Sequence, residues 1–284
     1  MRHHHVEKVS FMGRSFLMGA IVDSWGVDDV VLAAIAKGNF GETDSLAWWL
    51  AMLERQGPSL FLDVGAYSGV YAMLAAATKG PHRTVAVEAS VVTHGRLVQN
   101  ILLNNFDLVI VPCHTAVSDS AGMVKLGHAF GVLSMASGES LVPDYETDHY
   151  ELVPATSLDG LLLNHGPDSC GAILSRTANL LPVTSVGGIK IDVEGVETSV
   201  LAGASEIIAR FKPPLIMEVL NSTKLAECEA ILLPQGYRRV ADCEDLNFIF
   251  CHERDLENLT ASHRRITNQG PLEISSETVI SFAV

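Results

Sequence analysis

Several things are scarce in this chain of 284 residues. No apolar run reaches the roughly 20 residues that a helix needs to cross a bilayer, so a membrane-spanning helix is not expected. Basic residues are few: 19 Lys and Arg against 33 Asp and Glu leave a net charge of −14. A surface that tracks phosphates needs a basic excess, so general nucleic-acid binding is not expected either. Cysteine is sparse. Cys113, Cys170, Cys228, Cys243 and Cys251 are scattered, odd in number and without a Cys-x-x-Cys pair. That pattern suits reduced thiols in a cytoplasmic protein better than a disulfide framework. Cys113 and Cys251 sit in apolar runs and are expected in the core. His3-His4-His5 is followed by no apolar leader segment and by no nearby acid or cysteine that completes a ligand set, so neither a secretory peptide nor a metal site is read there. No internal repeat and no clear domain linker is visible.

What is plentiful is apolar residues, at 48 %, enough for a sizeable core in one large α/β domain or two small ones. The chain is organised around residues 59–79. Leu60 to Val64 is a short apolar run opened by Gly57-Pro58 and closed by Gly65, the signature of a buried strand. Val70 to Ala77, rich in Ala, Leu and Met, reads as a helix. Between them lies Asp63-Val64-Gly65-Ala66-Tyr67-Ser68-Gly69. The glycine lets a ligand approach the backbone, and the helix start offers free N–H groups. An acid at the strand end disfavours a bare phosphate and favours a cationic or hydroxylated ligand. The turn therefore points away from a pyrophosphate and towards S-adenosylmethionine. A plain strand-to-helix connection is the bland alternative.

A second apolar strand, Thr84 to Glu88, also ends in an acid. Glu88 follows Asp63 by 25 residues, one strand–helix–strand unit. A carboxylate there can accept hydrogen bonds from both ribose hydroxyls of an adenosine ligand. A third strand is expected at Leu108 to Val111, with the extended run reaching towards Val117. Ser118 and Asp119 follow it, either beside the adenine or in a simple turn before a short strand, Met123 to Leu126. Glu151 to Ala155 is expected to pair back onto that strand, and Ser157 to open a helix.

Gly188-Ile-Lys-Ile-Asp-Val-Glu-Gly195 is the next core strand. Asp192 and Glu194 lie two apart and, if extended, point the same way. Glu197 opens a helix, where an acid suits the positive end of the dipole. Three acids at the end of a buried strand are costly unless they bind something or reach solvent. Pro214 to Leu220 is a fifth strand, and Tyr237 to Ala241 with Asn247 to Cys251 a closing hairpin. Before the core, residues 6–23 suggest one or two short strands, with helices at Asp28 to Lys37 (Asp28 as N-cap) and Ser45 to Gln56. Trp48 and Trp49 are expected to pack rather than to cage a ligand. Residues 127–187 are the least regular and are assigned to substrate, with His128 and His149 as lesser acid–base alternatives.

These stretches resemble the FkbM family of S-adenosylmethionine-dependent methyltransferases. The resemblance rests on Leu62 to Gly69, Val87-Glu88, Asn100 with Asn104, Ala116 to Asp119 through Gly122, Ser157-Leu-Asp159, and Ile189 to Glu197 followed by Val200 to Ala204. It covers about residues 40–252 in the same order. Two positions depart from it: Tyr67 stands where family members commonly have Asn, and Ala89 where they have Pro. The resemblance implies a Rossmann-like class I methyltransferase fold, a seven-stranded, mostly parallel sheet with helices on both faces. It also implies methylation of a hydroxyl on a sugar, glycan or secondary metabolite, with a small-molecule or glycan acceptor. The expected organisation is an N-terminal extension (1–56), a methyltransferase domain (57–252) carrying the 127–187 insertion, and a C-terminal tail (253–284). The oligomeric state stays open, a homodimer included.

On this reading Asp63 and the Gly65 backbone hold the methionine end of S-adenosylmethionine, with Ala66, Tyr67, Ser68 and Gly69 completing the turn. Glu88, followed by Ala89, holds the ribose, and Ser118 or Asp119 the adenine. Asp192 contacts the cofactor or orients the acceptor, and Glu194 or Glu197 is the base. No dedicated metal motif is present; a divalent ion on Asp192, Glu194 and Asp119 is the alternative. A nicotinamide dehydrogenase would need Gly-x-Gly-x-x-Gly spacing, which the turn lacks. A non-catalytic binding protein with the same fold is the remaining rival.

Overall fold

The computed structural model describes residues 3–23, 26–54, 57–127, 150–163 and 183–283. The chain opens with strands β1 (His3–Phe11), β2 (Arg14–Asp23) and β3 (Gly26–Val27), then helices α1 (Val30–Ala36) and α2 (Thr43–Leu53). The central part runs β4 (Leu60–Val64), α3 (Val70–Ala77), β5 (Arg83–Glu88), α4 (Val91–Leu103), β6 (Ile110–His114), β7 (Ala116–Val117), β8 (Gly122–Gly127), β9 (Tyr150–Thr156) and α5 (Leu158–Leu162). It continues with β10 (Val186–Ile191), α6 (Glu197–Gly203), α7 (Ser205–Phe211), β11 (Leu215–Glu218), α8 (Ser222–Leu232), β12 (Tyr237–Asp242) and β13 (Asn247–His252). Helix α9 (Leu256–Thr267) and strand β14 (Ile274–Ala283) close it.

Seven strands form the main sheet in the order β12-β13-β11-β10-β4-β5-β6. The five from β11 to β6 are parallel, and β13 and β12 add antiparallel at one edge. This is the seven-stranded, mostly parallel sheet expected from the sequence. Both faces are covered, which is why its strands are apolar on both sides. Alternation assigns each residue a face. Leu60, Leu62 and Val64 pack with Val85, Val87, Ile189 and Ile191 against α6, α7 and α8. Phe61 and Ala86 face the other way, towards α2, α3 and α4.

The strand order reverses between β4 and β10: β5 lies on one side of β4, β10 on the other. At such a switch point the loops leave in opposite directions and open a crevice beyond the carboxyl ends of the strands. That crevice positions the site.

Helix α2 is buried on all sides from Ser45 to Leu53, as a helix apolar around its whole circumference must be. Trp49 packs edge-on against Phe61 and Tyr71 and donates Nε1–H to the Tyr71 carbonyl at 3.0 Å. Trp48 stacks on His263 of α9 at 3.8 Å. Both tryptophans therefore pack, as expected.

Several boundaries differ from the sequence reading. The first two strands are a long hairpin of nine and ten residues. Asp29, not Asp28, caps α1 by accepting Leu32 N–H at 2.9 Å, while Asp28 pairs with Arg96 at 2.8 Å. The third core strand is Ile110–His114, and the short β7 joins β9 and β8 in a separate sheet. The pairing of β8 with β9 is as expected, Met123 opposite Pro154 and Val124 opposite Val153. The segment after His252, unassigned from sequence, supplies α9 and β14. β14 pairs antiparallel with β1 in a four-stranded sheet, so the two ends of the chain are joined. Cys251 is buried and Cys113 half-buried. Cys170, His128, His149 and most of the 127–187 segment lie outside the described residues.

Candidate active site

The site begins with the backbone after β4. Gly65 has φ +79°, and a Cβ there would lie 1.6 Å from the Asp192 carbonyl oxygen. Only glycine fits, and its smallness lets the ends of β4 and β10 close on each other: Asp192 N–H donates to the Val64 carbonyl at 2.9 Å. Gly65 and Ala66 both donate N–H to the Val87 carbonyl at 2.9 Å, which draws β5 to the same point. Tyr67 is held at φ +49°, a left-handed conformation that a bulky side chain rarely adopts. Its N–H donates to Glu88 Oε2 at 2.8 Å, and Ser90 N–H donates to Glu88 Oε1 at 2.8 Å. Glu88 is thus fixed by two amides, each oxygen keeping acceptor capacity. Burial pushes its carboxyl above the usual range.

Together these groups line a cleft of about 250 Å³. One end holds Gly65, Tyr67, Val87, Glu88, Ala89, Thr115, Ala116, Val117 and Leu126. The other holds Asp192, Val193, Glu194, Glu218 from the end of β11, and Glu42 from the start of α2. Val64 at the end of β4 and Val30 and Val31 of α1 complete the lining.

Under the acid end lies Lys190, only 1 % exposed in the middle of β10. Its neighbours in register are Asp63 on β4 and Ile216 on β11. Nζ donates to Asn247 Oδ1 at 2.9 Å and lies 3.4 Å from Asp192 Oδ2 and 3.9 Å from Glu42 Oε2. Burial alone would lower its pKa, but the surrounding carboxylates outweigh it and hold the lysine charged. Glu42 also accepts the Tyr71 hydroxyl at 2.7 Å. Even so, burial keeps Glu42 above the usual range and lifts Glu218, with Asp192 beside it, to about 9. Asp63 is buried below, accepts Ala72 N–H at 3.0 Å, and is raised by burial to about 7.

Six of the residues expected from sequence line the cleft: Gly65, Tyr67, Glu88, Ala89, Asp192 and Glu194. Asp63 does not; it sits beneath, anchoring the start of α3. Ala66, Ser68 and Gly69 shape the turn from behind, and the Ser68 carbonyl accepts Asn100 Nδ2–H at 2.8 Å. Ser118 and Asp119 also lie outside the lining, where Thr115, Ala116 and Val117 stand instead. Ser118 N–H continues the small sheet by donating to Thr156, and exposed Asp119 accepts the Ser120 hydroxyl. Glu197 is fully buried in the first turn of α6, accepts Gly195 N–H at 2.7 Å, and does not reach the cleft. Among the described residues, the three-residue group with oxygen or sulfur atoms close enough to share an ion is Asp44, Cys243 and Glu244; Asp119, Asp192 and Glu194 form no such group.

Glu42, Glu218 and the apolar wall from α1 were missed. Glu218 ends its strand in an acid, as Glu88 does, and that signal was available. Glu42 reaches the cleft only through the packing of α2, which no local pattern announces. The matched asparagines also find a reason. Asn100 bridges Gly19 N–H and the Ser68 carbonyl, and Asn104 holds both backbone groups of Leu17. Asn100 thus staples β2 to the turn that builds the site, and Asn104 fastens β2 to α4.

The methyltransferase FkbM domain profile matches residues 63–239, from Asp63 into β12, more than half of the chain. The chain belongs to the FkbM methyltransferase family. Among solved structures it is similar to the methyltransferase FkbM of Methylobacillus flagellatus KT, at 21 % identity and a TM-score of 0.44, over 69 % of this chain and 45 % of that one. The chain thus spans less than half the length of that relative. It is also similar to a precorrin-6y C5,15-methyltransferase of Geobacter metallireducens GS-15 (14 % identity, TM-score 0.39, 72 % of this chain and 84 % of that one). A ribosomal protein L11 methylase of Lactobacillus delbrueckii subsp. bulgaricus aligns at 14 % identity and a TM-score of 0.40, over 77 % of this chain and 82 % of that one. No curated protein matches the chain. The FkbM-matched segment carries Glu88, Asp192, Glu194 and Glu218, whereas Glu42, Val30 and Val31 come from outside it. Among the described residues no helix is long and apolar enough to cross a membrane.

Proposed function

We propose that the protein is an S-adenosylmethionine-dependent O-methyltransferase acting on a hydroxyl of a sugar, glycan or secondary metabolite. The observation that carries the reading is the cleft at the switch point, where Glu88 is fixed by the Tyr67 and Ser90 amides at one end and acids gather at the other. The donor set fits the cofactor. Glu88 keeps acceptor sites for a ribose diol. The apolar wall of Val87, Ala89, Ala116, Val117 and Leu126 suits a purine. The surplus of carboxylates suits a ligand bearing a sulfonium and an ammonium group. Gly65, whose missing side chain lets β4 and β10 close on each other, brings its backbone into the cleft lining beside the acids, where it suits the methionine end.

S-adenosylmethionine, when bound, supplies a methyl group activated on positively charged sulfur. The chain then has to align the acceptor oxygen and remove its proton. Asp192 orients the acceptor. Glu194, half-buried and raised by burial and by the charges of Asp192 and Glu197, receives the proton. A carboxylate so raised is a better base near neutral pH than a solvated one. Glu197 supports this turn without touching the acceptor, and Asp63 fixes α3 rather than the ligand.

Incubating the full chain with S-adenosylmethionine carrying an isotopically labelled methyl group and a panel of hydroxylated acceptors tests the reading. Label in an ether linkage, abolished by Glu88→Ala and reduced at least about tenfold by Glu194→Gln, supports it. Label on nitrogen or carbon alone would contradict the O-methyl assignment.

A further inference from the structure

Asp44 in the first turn of α2, Cys243 and Glu244 in the turn between β12 and β13, and His263 of α9 meet away from the cleft lining. One ligand atom from each of Asp44, Cys243 and Glu244 lies within 4.8 Å of the other two. The Cys243 thiol donates to Asp44 Oδ2, with Sγ and Oδ2 3.1 Å apart. Sulfur and oxygen ligands held at about 2.3 Å and about 2.0–2.2 Å from one zinc ion stand about 3–3.6 Å from each other. An ion can therefore replace the thiol proton with little movement of either side chain. Glu244 Oε1 accepts Asp44 N–H at 2.6 Å and the Thr43 hydroxyl at 3.2 Å, which anchors the carboxylate and keeps Oε2 as a ligand atom. Asp44 Oδ1 accepts from His263 Nε2 at 3.1 Å, and the His263 ring is fixed by stacking on Trp48. Metal-bound carboxylates are held from behind in this way. Beside Cys243, the Ser45 hydroxyl is fully buried and has no hydrogen-bond partner among the described residues. A protonated thiol is a poor acceptor for it. A thiolate on a cation would be a better one, and would remove the cost of a buried unpaired hydroxyl.

We propose that Asp44, Cys243 and Glu244 bind a divalent cation of the zinc type, with His263 holding Asp44 in place. The sulfur decides the class of metal. Magnesium and calcium take oxygen ligands, whereas zinc accepts one thiolate with carboxylates. On binding, a metal–sulfur bond forms and the thiol proton passes to solvent; nothing is oxidised or reduced. Burial and the neighbouring Asp44 push the Cys243 thiol up, so the protein alone keeps that proton and a bound cation displaces it. The ion ties the start of α2, next to Glu42, to the turn that leads into Asn247, the residue holding Lys190. Asp44, Cys243, Glu244 and His263 all lie outside the FkbM-matched residues 63–239. The site is thus independent of the methyl-transfer reading.

Cobalt(II) titration of the reduced full chain, after dialysis against a chelator, reads the metal–sulfur bond directly. A thiolate-to-cobalt charge-transfer band in the near ultraviolet should grow to a single equivalent. Zinc should displace it, and magnesium and calcium should not. Cobalt on His3, His4 or His5 gives no such band, so that segment is not mistaken for the site. Cys243→Ser should abolish the band and Cys113→Ser should leave it. Glu244→Gln, which keeps an oxygen for Asp44 N–H, should weaken zinc at least about tenfold. Zinc at about 100 times its Kd should raise the melting temperature of the parent by about 5 °C, and that of Cys243→Ser by less than about 1 °C. If Cys243→Ser does not fold, the band in the parent and the affinity of Glu244→Gln decide. No band with cobalt up to about 100 μM, a band that survives Cys243→Ser, zinc affinity unchanged in Glu244→Gln, or displacement by magnesium as readily as by zinc would overturn the proposal.

Discussion

Replacing Gly65 by alanine should damage fold and site together. Gly65 sits at φ +79°, where an L side chain costs about 1–2 kcal/mol. The added methyl carbon would also lie 1.6 Å from the Asp192 carbonyl oxygen and 2.8 Å from its carbon. Neither atom belongs to a flexible side chain that could swing aside. Relief requires moving the end of β10 away from β4, against the Asp192–Val64 hydrogen bond of 2.9 Å and the parallel register of Ile191 with Val64. Backbone shifts of that kind cost about 1–3 kcal/mol. The total is about 2–5 kcal/mol, which for a domain of this size lowers the melting temperature by about 10 °C. Because Asp192 moves with the strand, affinity for S-adenosylhomocysteine should fall at least about tenfold. Gly95→Ala is the matched control. It lies exposed in the middle of α4 with no heavy atom within 4 Å of the new carbon, and should gain about 0.5–1 kcal/mol of helix propensity. Thermal unfolding followed by circular dichroism, with calorimetry for the ligand, reads both. A Gly65→Ala protein melting within about 2 °C of the parent and binding as tightly would refute the close-approach argument.

Other consequences can be checked alongside. Lys190→Met leaves Asp63, Asp192 and Glu42 without their shared cation and Asn247 Oδ1 without its donor. Urea unfolding should show a loss of about 3–5 kcal/mol, and a loss below about 1 kcal/mol would mean the lysine is not the hub described. Burial raises Asp63 to about 7, so the folded protein keeps a proton that the unfolded chain, near 3.8, has given up. The stability linked to Asp63 therefore falls as pH rises from about 4 to about 7 and stays low above, and Asp63→Asn should lose less stability than the parent between about pH 5 and 8. Equal slopes would rule out a raised Asp63. Tyr67→Asn keeps the left-handed turn with a residue that tolerates it. It should melt higher by the equivalent of about 1 kcal/mol while binding S-adenosylhomocysteine more weakly; a variant that melts lower would show that the ring stabilises the fold instead.

The sequence made the central sheet legible because parallel strands are short, apolar and spaced by helices, and Leu60 to Val64, Thr84 to Glu88 and Ile189 to Ile191 are all of that kind. The Gly65 turn and Glu88 were legible for the same reason: their constraints are local. The orientation of Asp63 was not. Alternation turns it to the α3 face with Phe61, away from the cleft, and following the strand's period would have shown this. The burial of Glu197 was not legible, because an acid at a helix start serves the helix as readily as a substrate. The placement of Ser118 and Asp119 outside the lining was not legible, because β7 leaves the main sheet for the small one and Val117 is the last of its residues to face the cleft. The charged hub at Lys190 was visible as a lysine between isoleucines, yet its partners come from residues 42, 63, 192 and 247. Only tertiary packing brings those together, and the same packing brings Glu42 into the cleft lining.

The account depends most on Glu88 at the switch point holding the ribose of an adenosine cofactor. Titrating the parent and Glu88→Ala with S-adenosylhomocysteine, and the parent with NADH, tests that directly. The parent should bind S-adenosylhomocysteine saturably and ignore NADH. Loss of a bidentate charged hydrogen-bond pair should weaken the variant by about 2–3 kcal/mol, on the order of a hundredfold. Equal affinity in both proteins, or binding of NADH in place of S-adenosylhomocysteine, would contradict the assignment of the cleft.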